Sequence, residues 1–516
     1  MGFLKFNKKY IIDSYIISKK KALNAFKKTQ YEKSLNFIKI SAQIANNFNW
    51  VYIDDDLEKI LNDISEVLLK PCIDYKPLDD NRIVFFDSFS WDNKGLTQQY
   101  LRAFMSVGIK FLYLTESSKT NLNSKYIFEE LKKYDKADIV EIPQNIKRTE
   151  QIKLIFNTIL SYKANKLFMH LSPSAVSAIT AFYSLPKEIT KYQINLTDHA
   201  FWLGSNCLDF TLEFRPKGCT ISKEKRGLKE NQVLLQSMYP IINESAFEGF
   251  PEKYTKGKVV IFSGGAFHKV SGDSGEFFKL VKRILDENHN AVFLFAGIGD
   301  SFLIERFIKK NRFENRFILI GNRSDINEVF KHCDIYMGTY PEGGGLMSQY
   351  SAMNGKPILN YMTESGGIVV EEIVCQNKNC NITITDKEKF FEEAKKLIND
   401  LDYRIKRGEE IKSGLTTEEQ FNKNLLQNIL SNKNQRPYQD VKINYEKIFD
   451  QNIENQNILQ SYKSLIIKNY KIHTVILFPK IFIWFVFFSL SKRGLNKIIN
   501  RMKVIMGNNS LKLLNN

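Results

Sequence analysis

The chain has 516 residues, 43% of them hydrophobic and 25% charged. Single cores stop growing near roughly 250 to 300 residues, so more than one domain is expected, and neither a disordered nor a wholly membrane-embedded protein fits. Against 57 Asp and Glu stand 74 Lys and Arg, a formal charge of +17 that attracts phosphorylated substrates, lipid head groups or nucleic acid. No zinc-finger spacing, arginine-rich block or RNA-binding aromatic signature accompanies that charge, which sets nucleic acid aside.

From about residue 18 to 69 apolar residues recur at helical spacing: Tyr31, Leu35, Ile38 and Ile44, then Leu57, Ile60, Leu61 and Ile64. The run Asp54, Asp55, Asp56 precedes the second set and reads as an N-cap favoured by the helix dipole rather than as a metal-binding DxD. This helical extension is placed at 1–78. Short strand patterns spaced by helices follow at 83–86, 111–114, 138–142, 167–170, 193–196, 210–214 and 233–236, the mark of a parallel sheet wrapped by helices. After a loop at 243–256 a second set runs through 259–262, 292–296, 317–320, 334–337, 358–361 and 382–385. The expectation is α/β architecture: two doubly wound, Rossmann-like domains in series, at 79–245 and 246–435, with a basic, hydrophobic helical tail at 436–516.

Within that tail, VILFPKIFIWFVFFSL at 475–490 is intensely apolar but 16 residues long and carries Pro479 and Lys480, short of the roughly 20 that cross a bilayer core. Lys492, Arg493, Lys497, Arg501 and Lys503 follow it. Such a segment suits an anionic membrane surface, each nearby cation adding about 1 kcal/mol, and equally suits a helix packed across the domains. The six cysteines, Cys72, Cys207, Cys219, Cys333, Cys375 and Cys380, lack CxxC pairing, so reduced thiols and no zinc site are expected. No continuous apolar h-region opens the chain, so a cytoplasmic protein is expected, peripheral at the inner face of the membrane.

The richest stretch is DIYMGTYPEGGGLMSQYSAMNGKPILNY at 334–361, a strand, a polar turn, three glycines, a helix and another strand. Gly343, Gly344 and Gly345 let a ligand sit on the main chain and open a helix whose first N–H groups and dipole favour a diphosphate. Glu342, at the carboxyl end of the strand, is placed to accept hydrogen bonds from donor-sugar hydroxyls. The other strand-loop, VVIFSGGAFHK at 259–269, offers Gly264 and Gly265 for close approach and Lys269 as a point charge on the same diphosphate. Arg323, after the third strand of this set, either borders a nucleobase or caps its own neighbourhood; the turn at Gly297 and Gly299 reads as scaffold. In the first domain TDHAFWLG puts His199, with Asp198 as its partner, just past a strand end, where an imidazole suits proton transfer near neutral pH. Asp209, Thr211, Glu213 and Arg215 alternate onto one face, with Asp209 and Glu213 as structural partners of Arg215. Ser88, Ser90 and Asp92 form a candidate acceptor loop.

TYPEGGG leading through SAMNGKP, together with SGGAFHK, resembles GT-B fold glycosyltransferases, and DHAFWLG with EFRPKG resembles the bacterial enzymes that build surface polysaccharides; the likeness spans roughly 82–430. The resemblance implies that the second domain binds a nucleoside diphosphate sugar as donor substrate, the first binds a saccharide or lipid-linked acceptor, and transfer occurs in the cleft without a metal or other cofactor. It matches Glu342 to the first acidic residue of the family's paired-glutamate pattern. The second carboxylate, which holds the ribose, is replaced here by Ser351, leaving that contact to Ser348 or Tyr350. Two other readings share this architecture: an inactive glycan-binding accessory protein and a nucleotide-sugar epimerase.

Overall fold

The computed structural model describes residues 6–490 apart from 73, 94, 243–244 and 364–369. The thirteen strands among the described residues correspond to the thirteen expected. The first sheet comprises β1 (Ile83–Asp87), β2 (Phe111–Thr115), β3 (Ala137–Glu141), β4 (Lys166–His170), β5 (Thr190–Asn195), β6 (Phe210–Glu213) and β7 (Val233–Leu235), in the order β3-β2-β1-β4-β5-β6-β7. The second comprises β8 (Val259–Gly264), β9 (Ala291–Ala296), β10 (Phe317–Leu319), β11 (Ile335–Met337), β12 (Ile358–Tyr361) and β13 (Thr383–Ile384), in the order β10-β9-β8-β11-β12-β13. The paired strands are parallel, and alternation feeds two cores per sheet. In β1, Val84 and Phe86 join one cluster while Ile83 and Phe85 join the other. Such sheets bury both faces, which explains the near-continuous apolar runs.

The strand order reverses between β1 and β4 in the first sheet and between β8 and β11 in the second. Loops leaving the carboxyl ends of such a pair diverge to opposite faces and open a crevice, the place where open α/β sheets bind ligands.

The outer parts of the chain do not form separate layers. Helices Lys8–Lys27, Tyr31–Phe48 and Asp55–Leu68 share one core with the first domain, through Leu35, Ile44, Leu61 and Phe182, and Tyr462, Ile466, Phe478 and Ile481 of the tail join the same core. Asp54 caps the third of these helices, its carboxylate accepting from Leu57 N at 3.0 Å. Helix Glu418–Ser431, expected with the second domain, returns to the first: Phe421, Leu425 and Ile429 are buried against Tyr100 and Tyr192. Fully burying a side chain such as Phe421 contributes about 1.5–3 kcal/mol, so this crossover fastens the two domains together. Cys375 and Cys380 are bonded, with Cα atoms 5.8 Å apart, which corrects the expectation of six reduced thiols; the turn between Ile373 and Ile382 brings them together. Cys207, Cys219 and Cys333 are buried free thiols, and Cys72 is exposed.

Candidate functional site

β8 and β11 are hydrogen-bonded neighbours, with Ile261 beside Ile335 and Phe262 beside Tyr336, so both leave their loops on one edge. The loops interlock there. A Cβ on Gly264 would stand 3.0 Å from both the Met347 methyl and the Ala296 carbonyl, and a Cβ on Gly272 would meet Pro341 at 2.9 Å. Glu342 N donates to the Lys269 carbonyl at 3.4 Å. Lys269, Gly264, Gly265 and the Gly343–Gly345 turn therefore stand at a single place, the switch point of the second sheet.

Helix Gly345–Met353 begins at this point, with Gly344 as its N-cap. Gly344 has φ −120°, and Gly345 is already helical, so the left-handed backbone of this edge lies elsewhere, at Gly265 with φ +141°. The first N–H groups of such a helix have no intrahelical partner, and an amino end of this kind suits an anion. The β9 loop reinforces the arrangement: Gly265 N donates to Ala296 O at 2.9 Å, and a Cβ on Gly297 would lie 2.0 Å from the Gly265 carbonyl. Gly297 is scaffold, and no larger residue fits. Burial lowers the affinity of the Lys269 amine for its proton, and the neighbouring Glu342 carboxylate works against that shift. A second anion at the site would, like Glu342, favour the charged form.

Glu342 is held from three sides. Its carbonyl accepts from Thr339 Oγ1 at 2.6 Å, its Oε2 lies 3.6 Å from His268 Nε2, and its Oε1 accepts from Asn455 Nδ2 at 2.6 Å. Asn455 comes from the tail, and nothing in its Asn-rich surroundings singled it out in the sequence.

Two expected donor contacts point elsewhere. Arg323 is corrected from a nucleobase neighbour to a structural clamp. Its guanidinium pairs with Asp325 through Nε at 2.7 Å, donates to the Gly249 carbonyl at 2.7 Å and stacks near Phe247 and Phe250, leaving the side chain 5% exposed. It fastens the linker between the domains. Ser348 is likewise corrected: it is buried, and its hydroxyl donates to Gly344 O at 3.0 Å within its own helix. Tyr350 is spent on the Ile241 carbonyl at 2.7 Å. Neither offers a free hydroxyl to a ribose.

In the first domain, Asp198 is fully buried while the His199 ring is 56% exposed, with Nδ1 3.2 Å from Asp198 Oδ1. Burial opposes charge on Asp198, but Arg215 and His199 outweigh it and hold the carboxyl well below its usual range. The partners of Arg215 also differ from expectation. It forks onto Asp198 through Nε at 2.5 Å and Nη2 at 2.9 Å, while Asp209 accepts from Lys191 N and Glu213 accepts from Asn195 and Ser222. Arg215 lies beyond the end of β6, as the N-cap of helix Pro216–Arg226. Across the domain boundary Glu372 Oε1 accepts from Lys217 N at 3.1 Å and Oε2 lies 3.8 Å from Arg215 Nη1. Arg215, the partner of Asp198, and Lys217 thus meet helix Glu371–Val374 beyond β12, and Glu342 is touched by Asn455, whereas His199 is paired with Asp198.

The candidate acceptor loop is largely scaffold. Asp87 and His170 end the neighbouring strands β1 and β4; they are wholly buried, 3.1 Å apart, with Thr97 Oγ1 donating to Asp87 at 2.6 Å. Asp87 also accepts from Phe89 N and Ser90 N. Ser90 is bound to Tyr113 and Thr115, and Asp92 caps helix Lys125–Lys132. A cavity of about 180 Å³ lined by Asn93, Tyr126, Ser245, Asn327 and Tyr350 lies between the domains. A larger polar hollow of about 430 Å³ sits at the amino ends of β5 and β6, the edge where open parallel sheets do not bind ligands. Among the described residues no three His, Cys, Asp or Glu side chains gather as a metal-binding group.

No protein-family model and no curated protein sequence matches the chain. Solved structures do. The fold is similar to that of an O-GlcNAc transferase variant from Thermobaculum terrenum, with a TM-score of 0.50 and 12% identity over 86% of this chain and 85% of that one. It is also similar to Anabaena HepE in complex with UDP, with a TM-score of 0.51 and 12% identity over 68% of this chain and 100% of that one. The same protein in complex with UDP and glucose gives a TM-score of 0.50. Two Rossmann-like domains, each a parallel sheet flanked by helices, make this a GT-B fold.

Proposed function

We propose that the protein is a glycosyltransferase that moves a sugar from a nucleoside diphosphate, with UDP as the first candidate, to a saccharide or lipid-linked saccharide during assembly of a bacterial surface glycan. The observation that carries this reading is the convergence of Lys269 and the amino end of helix Gly345–Met353 at one switch point, beside a held carboxylate. A diphosphate placed there meets main-chain N–H groups and an ammonium aimed at the charge that grows as the sugar departs, the preorganised stabilisation that lowers a transfer barrier most. Metal chemistry is not required for that step. Glu342 accepts hydrogen bonds from the donor sugar. His199, oriented by Asp198, takes the proton of the attacking hydroxyl. HepE was solved with UDP, which supports uridine as the first base to test.

The apolar tail supports a membrane-side acceptor at the cytoplasmic face, an anionic lipid surface being the partner that matches the basic residues after 490. A thermal-shift series with UDP, UDP-sugars and the other nucleoside diphosphates tests the donor half, because a ligand at about 100 times its Kd adds about 2.7 kcal/mol to stability. Stabilisation by UDP and UDP release dependent on a saccharide are expected. Conversion of the donor with no acceptor would identify an epimerase, and no response to any nucleotide would identify a binding protein.

A further inference from the structure

We infer that Asn455 is a positioning residue for the Glu342 carboxylate, so that the C-terminal helical hairpin supplies one wall of the donor-sugar site; this rests on the donor site proposed above. Asn455 is the joint between helices Tyr445–Glu454 and Gln456–Tyr470. The orientation of its amide is set by the chain itself. Oδ1 accepts from Asn457 N at 2.9 Å and Ile458 N at 3.3 Å, capping the second helix. Nδ2 is therefore the atom turned to Glu342 Oε1, 2.6 Å away.

The joint is itself held, and by the opposite domain. Asn452 Nδ2 donates to the Phe48 carbonyl at 3.1 Å, Lys8 pairs with Asp450 at 2.8 Å, and Phe449 stacks on Trp50 at 5.5 Å. All three anchors belong to the N-terminal segment fused to the first domain, two of them in its helices and Trp50 in the loop between the second and third, whereas Glu342 belongs to the second domain. The contact thus bridges the cleft at the donor site. A carboxylate has about four acceptor positions, so one taken by Asn455 leaves others for sugar hydroxyls while fixing the plane in which they are offered. Released from Asn455, the carboxylate is free to turn toward His268 and Lys269, the charged or titratable groups that face it from the loop after β8. From the hairpin the group in contact is the neutral amide.

Two substitutions in the full chain separate this role from that of a helix cap. Asn455→Ser and Asn455→Asp both keep a side-chain oxygen for the cap. Ser removes the amide N–H donor and leaves one shorter hydroxyl, whose oxygen is engaged at the cap, and Asp sets a carboxylate against Glu342, where one of the two must take up a proton before the pair can close. Melting temperature, Kd for UDP and UDP release from the UDP-sugar that the wild type turns over fastest are measured between pH 5.5 and 8. The expectation is wild-type melting, UDP affinity within about twofold, turnover about tenfold lower in Asn455→Ser, and a larger loss in Asn455→Asp at pH 8 that is regained relative to wild type toward pH 5.5. A pure cap predicts an Asp variant as active as wild type at every pH. That result, or an Asp variant equally impaired across the range, overturns the inference and leaves the donor site standing. A wild type that does not bind UDP or any other nucleoside diphosphate overturns both.

Discussion

Lys269 shows how a single residue is tuned by its place in the chain. Its amine is half-buried, which lowers its proton affinity, and Glu342 only works against that shift. A cation in such a position gives little to the folded state and gains most when an anion arrives. Lys269→Ala is therefore expected to leave the melting temperature nearly unchanged and to weaken UDP binding about tenfold or more, or ~1.4 kcal/mol; isothermal titration measures it, and equal affinity would remove the residue from the site. Arg323 shows the reverse. The sequence left Arg323 open between a nucleobase and its own neighbourhood, and Asp325 two residues on and the Gly249 carbonyl far back in the chain take it. Ser348 is withdrawn from a ligand for a different reason: its hydroxyl, four residues after Gly344, bonds back to that carbonyl within the helix.

At the scale of elements, helix Asp55–Leu68 holds the loop that carries His199. Glu58 on this helix is fully buried, accepts from Gly204 N at 2.7 Å and from the Tyr183 hydroxyl, and burial pushes its carboxyl up to about 7. The folded chain therefore takes up a proton at Glu58 that the unfolded chain, titrating near 4.5, has released. The stabilisation is full below pH ~4.5 and is lost as pH rises through ~7, roughly 3 kcal/mol across that window. Glu58→Gln removes the titration. The difference in unfolding free energy between wild type and this variant, measured by urea denaturation, is expected to shift against the wild type from pH 5 to pH 8. A difference independent of pH would place the Glu58 carboxyl at its ordinary affinity.

The whole molecule is a two-domain body strapped by its own ends. No single described helix is long and apolar enough to cross a membrane, although Gln456–Leu477 and Pro479–Phe487, bent by 113°, pass that test together. The tail is split in character. Phe478 and Ile481 are buried against the helical core, with Tyr470 and Phe478 rings 4.8 Å apart, while Ile472, Ile476, Ile483 and Phe487 face outward. Both sequence readings of the tail thus have residues to support them, and the basic residues from Lys492 to Lys503 lie outside the described part. We expect the protein to co-sediment with vesicles containing phosphatidylglycerol, less so as salt screens the charge. Ile476→Asp combined with Phe487→Asp is expected to reduce sedimentation by about tenfold or more, each apolar side chain contributing about 1.5–3 kcal/mol when buried. Unchanged sedimentation would assign that face to another partner.

Taken alone, the sequence was enough for the two parallel sheets, because buried parallel strands require short apolar runs between turn residues, and for the loops at 264–269 and 342–345, because glycine is needed where backbones approach each other. The Asp54 cap was legible for the same local reason. What the tertiary structure alone decided are the contacts between residues far apart in the chain: Glu418–Ser431 returning to the first domain, Arg215 choosing Asp198, Arg323 closing on the linker and Asn455 reaching Glu342 across 113 positions. Such pairings depend on where the chain crosses itself, and the geometry of a crossing has no local pattern to mark it.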